Sequence, residues 1–171
     1  GSITEELGYS VFSNCTSLTE VIIPNSISKI SLSTFEGCTS LKNVIISNSV
    51  TNIHNYAFDE CTALEKIVIP DSVTSIGSYA FSDCSSLKNL DLSSWDVSRV
   101  TQFSAIFSGC TSLETVNIST WDVSSAEGEY ATRYMFDKCN SLKSNPYTGI
   151  AKGHSAISSI MLTSTNLPSE L

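Results

Sequence analysis

Six cysteines, Cys15, Cys38, Cys61, Cys84, Cys110 and Cys139, are the side chains in this sequence whose type best suits chemistry. Thiols can pair as disulfides, hold zinc or act as nucleophiles. Their setting points elsewhere. Each lies in one phrase, Phe-x-x-Cys-x-x-Leu: Phe12 to Leu18, Phe35 to Leu41, Phe58 to Leu64, Phe81 to Leu87, Phe107 to Leu113 and Phe136 to Leu142. Successive cysteines are 23, 23, 23, 26 and 29 residues apart. A fixed period in the twenties marks stacked supersecondary units. One thiol per coil then acts as a small buried hydrophobe. Neighbouring thiols would sit about one strand spacing, 4.8 Å, apart, so a bridge between coils stays geometrically open. A column of thiols suits zinc poorly, because a tetrahedral site gathers ligands from different directions.

The remaining titratable groups build no catalytic constellation. His54 occupies a variable position, equivalent to Ser31 and Gly77 in neighbouring coils, and His154 lies in the C-terminal segment. Asp71, Asp96 and Asp122 recur at corners, where a carboxylate caps a turn. No Gly-rich phosphate loop, nucleophile elbow or two-His metal motif is present. The sequence therefore predicts neither an enzyme nor a cofactor.

The elements that carry these residues can be read from the repeat. Each motif Leu opens a strand phrase: Leu18-x-x-Val21-x-Ile23, Leu41-x-x-Val44-x-Ile46, Leu64-x-x-Ile67-x-Ile69, Leu87-x-x-Leu90-x-Leu92 and Leu113-x-x-Val116-x-Ile118. Alternation at the end of the phrase is the strand period of two. A tight turn follows, as in Pro24-Asn25-Ser26 and Pro70-Asp71-Ser72. A second apolar phrase comes next, such as Ile27-x-x-Ile30 or Val73-x-x-Ile76. Phe and Cys, three apart, would share one face of a short helical turn. From Trp95 onward the corners change to Ser-Ser-Trp-Asp-Val-Ser and Ser-Thr-Trp-Asp-Val-Ser, and the fifth coil gains residues near Ala126 to Gly128. Trp95 and Trp121 would cover the core edge or, stacked, grip a ligand.

The fold class expected is α/β, a solenoid of about five to six coils over residues 3–142 that starts within a repeat. Short parallel strands would line one side and short helical turns the other. Residues 143–171 lack the repeat and read as a C-terminal cap, with Ile157, Ile160 and Met161 at helical spacing.

Binding is expected on the strand face. The residue between the two inward apolar positions points outward. That column reads Ile22, Ile45, Val68, Asp91 and Asn117, an apolar run beside a polar one. The column Glu20, Asn43, Lys66, Asn89, Thr115 follows no structural rule, so a ligand could dictate it. A third column, Thr19, Lys42, Glu65, Lys88, Glu114, alternates in charge and should support register.

Composition narrows the partners. The formal net charge of −8 repels a phosphate backbone, and no local Lys/Arg cluster offsets it. No apolar run approaches a transmembrane length. Nucleic acid and direct membrane insertion are both excluded as expectations, and a protein or glycan ligand remains.

The phrase Leu64-Glu-Lys-Ile-Val-Ile-Pro-Asp-Ser-Val-Thr-Ser-Ile-Gly-Ser-Tyr-Ala-Phe-Ser-Asp-Cys84 resembles the treponemal, or BspA-like, leucine-rich repeat. The Trp-Asp-Val-Ser units resemble the bacterial-surface repeat found alongside it. The resemblance spans roughly residues 7 to 142. It implies a right-handed curved solenoid in a cell-surface or secreted protein, often an adhesin that contacts host or extracellular proteins. It also departs from the general leucine-rich pattern. Ser26, Ser49 and Ser72 stand where that pattern puts Asn or Cys.

Overall fold

A computed structural model describes residues 5–126 and 131–144. The chain is a parallel β-solenoid of about five turns. Its strands are β1 (Glu5–Leu7), β2 (Glu20–Ile23), β3 (Ile27–Ile30), β4 (Asn43–Ile46), β5 (Asn52–Ile53), β6 (Ser75–Ile76), β7 (Asn89–Asp91) and β8 (Thr115–Asn117).

Two faces carry ladders, where the sequence pointed to one. The first phrases pair in parallel as β2–β4 and β7–β8. Between them the first phrase of the third coil keeps Ile67 and Ile69 buried but forms no strand. The second phrases form a four-stranded parallel ladder in the order β1-β3-β5-β6. Both phrases end on β-branched or Leu residues that point inward, which suits a short strand buried on one side.

The side expected to carry helical turns carries none among the described residues; it is built of turns. The backbone explains why. Each coil places residues with positive φ two before its Phe and one before its Cys: Ser33 (φ 55) and Gly37 (φ 70), Tyr56 (φ 57) and Glu60 (φ 57), Tyr79 (φ 59) and Asp83 (φ 53). A left-handed residue every four positions prevents a right-handed helix from propagating. Alternate amides also leave the local chain. Those of Ser33, Phe35 and Gly37 donate to the carbonyls of Asn55, Ala57 and Asp59 in the next coil, where a helix would direct them to i−4. The turn side is therefore itself a ladder between coils.

The core runs as columns along the stack. The phenyl rings of Phe12, Phe35, Phe58, Phe81, Phe107 and Phe136 stack nearly parallel, with centroids 5.3, 5.2, 5.2, 5.7 and 5.7 Å apart. These separations fit offset stacking of aromatic rings. The two widest belong to the longer coils, so the extra residues leave the column unbroken. Beside it runs the thiol column. The Sγ of Cys38, Cys61, Cys84, Cys110 and Cys139 donates to the carbonyl of the preceding coil's Phe, at 3.1, 3.2, 3.3, 3.4 and 3.1 Å. All six cysteines are free thiols.

Candidate binding surface

The residues that could do chemistry are occupied by the fold. Burial pushes up the thiol pKa of Cys38, Cys61 and Cys84, and a hydrogen bond with Cys139, followed by burial, pushes up that of Cys110. A thiol held protonated is a poor nucleophile and a poor metal ligand. Among the described residues no cluster of His, Cys, Asp or Glu could hold a metal ion. Asp96 and Asp122 cap their corners, accepting from the amides of Ser98 at 2.9 Å and Ser124 at 3.0 Å. Asp71 makes no such bond. At its corner Ser72 Oγ donates to the Val50 carbonyl at 2.7 Å.

The tryptophans form core rather than a ligand platform. Trp95 and Trp121 are buried and meet edge to face, with centroids 5.3 Å apart. Their Nε1 atoms donate to the carbonyls of Val73 at 2.6 Å and Leu92 at 3.0 Å.

The outward strand column divides into two chemistries. Ile22, Ile45 and Val68 are 64, 54 and 76% exposed. Ile22 lies opposite Ile45 in the β2–β4 register. Beside them Pro24, Asn25, Ser47 and Asn48 complete an open depression of about 540 Å³. Asp91 and Asn117 are also opposite one another, and both are exposed. Their side chains serve the sheet: Asn117 Nδ2 donates to Asp91 Oδ1 at 3.1 Å, and Asp91 Oδ1 accepts from Ser93 Oγ at 2.7 Å. The Ser93 hydroxyl and amide hold the Asp91 carboxyl below its usual range. Each residue also folds its own corner, as Ser119 does on Asn117 at 2.9 Å.

The neighbouring columns divide in the same way. Glu20, Asn43, Lys66 and Asn89 are exposed. Asn89 Oδ1 nevertheless accepts from Thr115 Oγ1 at 2.7 Å, so this column does follow a structural rule in the second half. The charge-alternating column forms fewer ion pairs than expected. Among the described residues Lys42, Glu65 and Lys88 form none. Glu114 pairs with Lys143, which lowers its pKa and extends the column by one coil.

Sequence reading missed a second concave region. A groove of about 410 Å³ lies between β5 and β6 on one side and Arg99 to Gln102 on the other. His54, Asn55, Ser75, Ser78 and Arg99 line it, and no carboxylate does. The signal available in the sequence was the change in coil length from 23 to 26 residues after Cys84. The Ala126 to Gly128 insertion and the 143–171 segment fall largely outside the described residues. Among the described residues no helix is long and apolar enough to cross a membrane.

Comparison with known proteins agrees with this architecture. Residues 5–143 and 98–171 match the model of the BspA type leucine rich repeat region, with six copies. A leucine-rich repeat protein of Bacteroides ovatus is 30% identical over 80% of this chain and 33% of its own, with a TM-score of 0.64. The T. pallidum leucine-rich repeat protein is 28% identical over 65% of this chain and 61% of its own, with a TM-score of 0.55. The pneumococcal vaccine antigen PcpA shares the fold at 18% identity and a TM-score of 0.55, over 85% of this chain and 38% of its own. The chain thus spans less than two thirds of each of these proteins. No curated protein is a significant match. The family suggests a protein-interaction or repeat module and is typically non-enzymatic. Six copies of one repeat, stacked as a β-solenoid and matched over most of the chain, place this protein in the BspA-type leucine-rich repeat family.

Proposed function

We propose that the array is a non-enzymatic binding module that meets an extracellular or host protein through its strand face, as part of a cell-surface or secreted protein of adhesin type. The observation that carries this reading is the exposure of Ile22, Ile45 and Val68 in three successive coils. Isolated exposed aliphatics are ordinary. Exposed aliphatics at the same position of three successive coils, beside a polar rim, have the composition of an interface core. The rim is supplied by Glu20, Asn43 and Lys66, whose side chains are exposed. Asp91, Asn117 and Asn89 belong to the polar half of the same face, where the Asn117–Asp91 and Thr115–Asn89 bonds hold it rigid. A rigid face loses little entropy on binding, which favours multipoint contact without a covalent step.

A glycan ligand has less support, because both tryptophans are buried. The second reading is a spacer that displays other domains. It draws on the same bonded polar half, where stacking alone accounts for the residues. Purified chain presented to a panel of extracellular-matrix proteins and glycans separates the two readings. The module captures a protein and loses it when the apolar column is charged; the spacer captures nothing.

A further inference from the structure

The four-stranded ladder stops at β6, and its end has a local cause. In earlier coils a corner serine reaches back to the previous second phrase: Ser49 Oγ donates to the Ile27 carbonyl at 2.8 Å and Ser72 Oγ to that of Val50 at 2.7 Å. In the fourth coil the Trp95 indole takes this place on Val73. An indole is far larger than a hydroxyl, and three more residues follow before the motif Phe, here Phe107. The backbone at Arg99 to Thr101 therefore stands off from β6, and the groove opens between them.

The gap, closed at its ends by the Trp95 bond to Val73 and by the Tyr79 amide on the Ser104 carbonyl, presents acceptors. The carbonyls of Ser28 and Ile30 receive the amides of Thr51 and His54, and those of Thr51 and Ile53 receive Thr74 and Gly77. The equivalent carbonyls one coil on are Thr74 and Ile76. Among the described residues no backbone amide of the fourth coil donates to either. Two forward acceptors at strand spacing match the amides of an added parallel strand. The groove floor is fixed by Gly77, where a Cβ would lie 2.3 Å from the Asn55 amide nitrogen. Asn55 Oδ1 is itself held there, accepting from the Ser78 amide at 3.1 Å.

Charge selects the occupant. The chain carries 17 acidic residues against 9 Lys and Arg, yet this groove is lined by Arg99 with no acidic residue among its walls; Asp96, outside the walls, is the carboxylate that Arg99 attracts. We propose that the groove between β6 and Arg99–Gln102 is a second binding site, which takes an extended acidic peptide segment of a partner protein as an added parallel strand on β6. Peptide amides meet the Thr74 and Ile76 carbonyls, and an acidic side chain meets the Arg99 guanidinium. The site is separate from the Ile22–Ile45–Val68 column and does not depend on it.

The test is fluorescence anisotropy of the full chain with a pool of capped hexapeptides that alternate Val or Thr with Asp or Glu. Expected is saturable binding that falls about tenfold or more in Arg99→Gln, the loss of one charge-assisted bond. Ser75→Trp, which fills the groove from an exposed position, abolishes it. N-methylation of alternate peptide amides also abolishes it, and Ile22→Lys leaves it unchanged. Four results would overturn the proposal: no binding by any acidic peptide, equal binding by Lys-substituted peptides, indifference to N-methylation, or binding of a carboxylated oligosaccharide in place of peptide.

Discussion

The Nε1 of Trp95 donates to the Val73 carbonyl at 2.6 Å, the place that the Ser72 hydroxyl holds against Val50 one coil earlier. The same backbone acceptor is served by two unlike side chains, and the coil lengthens where the larger one takes over. Trp95→Phe keeps the ring and removes the donor, leaving a buried carbonyl unpaired. It should cost about 1–3 kcal/mol, read as a lowered urea midpoint. Trp95→Ala also empties a large core volume and should cost about 3–5 kcal/mol.

The thiol column predicts a labelling pattern. Cys38, Cys61, Cys84 and Cys110 are buried, and Cys15 is only half-buried. With iodoacetamide at pH 8, followed by peptide mapping, Cys15 should be modified first. The four deeper thiols should react only after urea unfolding. Their raised pKa values also set a pH limit. The unfolded chain releases these protons near the ordinary thiol value of 9.0, before the folded chain does. Stability is therefore intact below about pH 9 and declines as pH rises beyond it. Cys61→Ala should flatten that alkaline decline while lowering stability at pH 7 by about 1–3 kcal/mol, since the Phe35 carbonyl loses its donor.

Asp59 shows the same direction of shift in a carboxylate. Burial, opposed by a Ser82 hydrogen bond and reinforced by Asp83, Glu60 and Glu36, pushes its carboxyl up to about 6. Its Oδ1 is buried without a hydrogen-bond partner. The folded pKa lies above the unfolded value of 3.8, so the stabilising protonated form is complete below pH 3.8 and lost as pH rises through about 6. Asp59→Asn should accordingly raise stability at pH 7 by about 1 kcal/mol, a figure reduced for solvent screening. At pH 3.5 it should change little. Urea titrations at the two pH values measure the difference.

Much of this was legible in the repeat. Phe-x-x-Cys-x-x-Leu marks the buried columns from Phe35 to Leu113, because only an inward position tolerates the same large apolar side chain in every coil; in the first copy Phe12 is exposed. The outward placement of Ile22 and Val68 followed from strand alternation. The helical form of the turn side is not confirmed, because Phe and Cys three apart fit both a helical turn and a chain of turns. Positive φ at residues such as Tyr56 and Glu60 decides between them, and their types do not announce it. Lys42, Glu65 and Lys88 alternate in charge, but exposed long side chains gain too little to hold one geometry. The groove at Arg99 escaped notice because it arises from a mismatch between coils of different length. No motif records such a mismatch.

The apolar outward column is proposed as the contact surface. Its most direct test is surface plasmon resonance of the chain against a matrix-protein panel, beside the triple variant Ile22→Lys, Ile45→Glu, Val68→Lys. The alternating charges avoid repulsion between adjacent coils. The native chain should capture at least one protein, and the variant should lose about 100-fold or more in affinity at an unchanged melting temperature. Undiminished capture by a variant that melts with the native chain would contradict it.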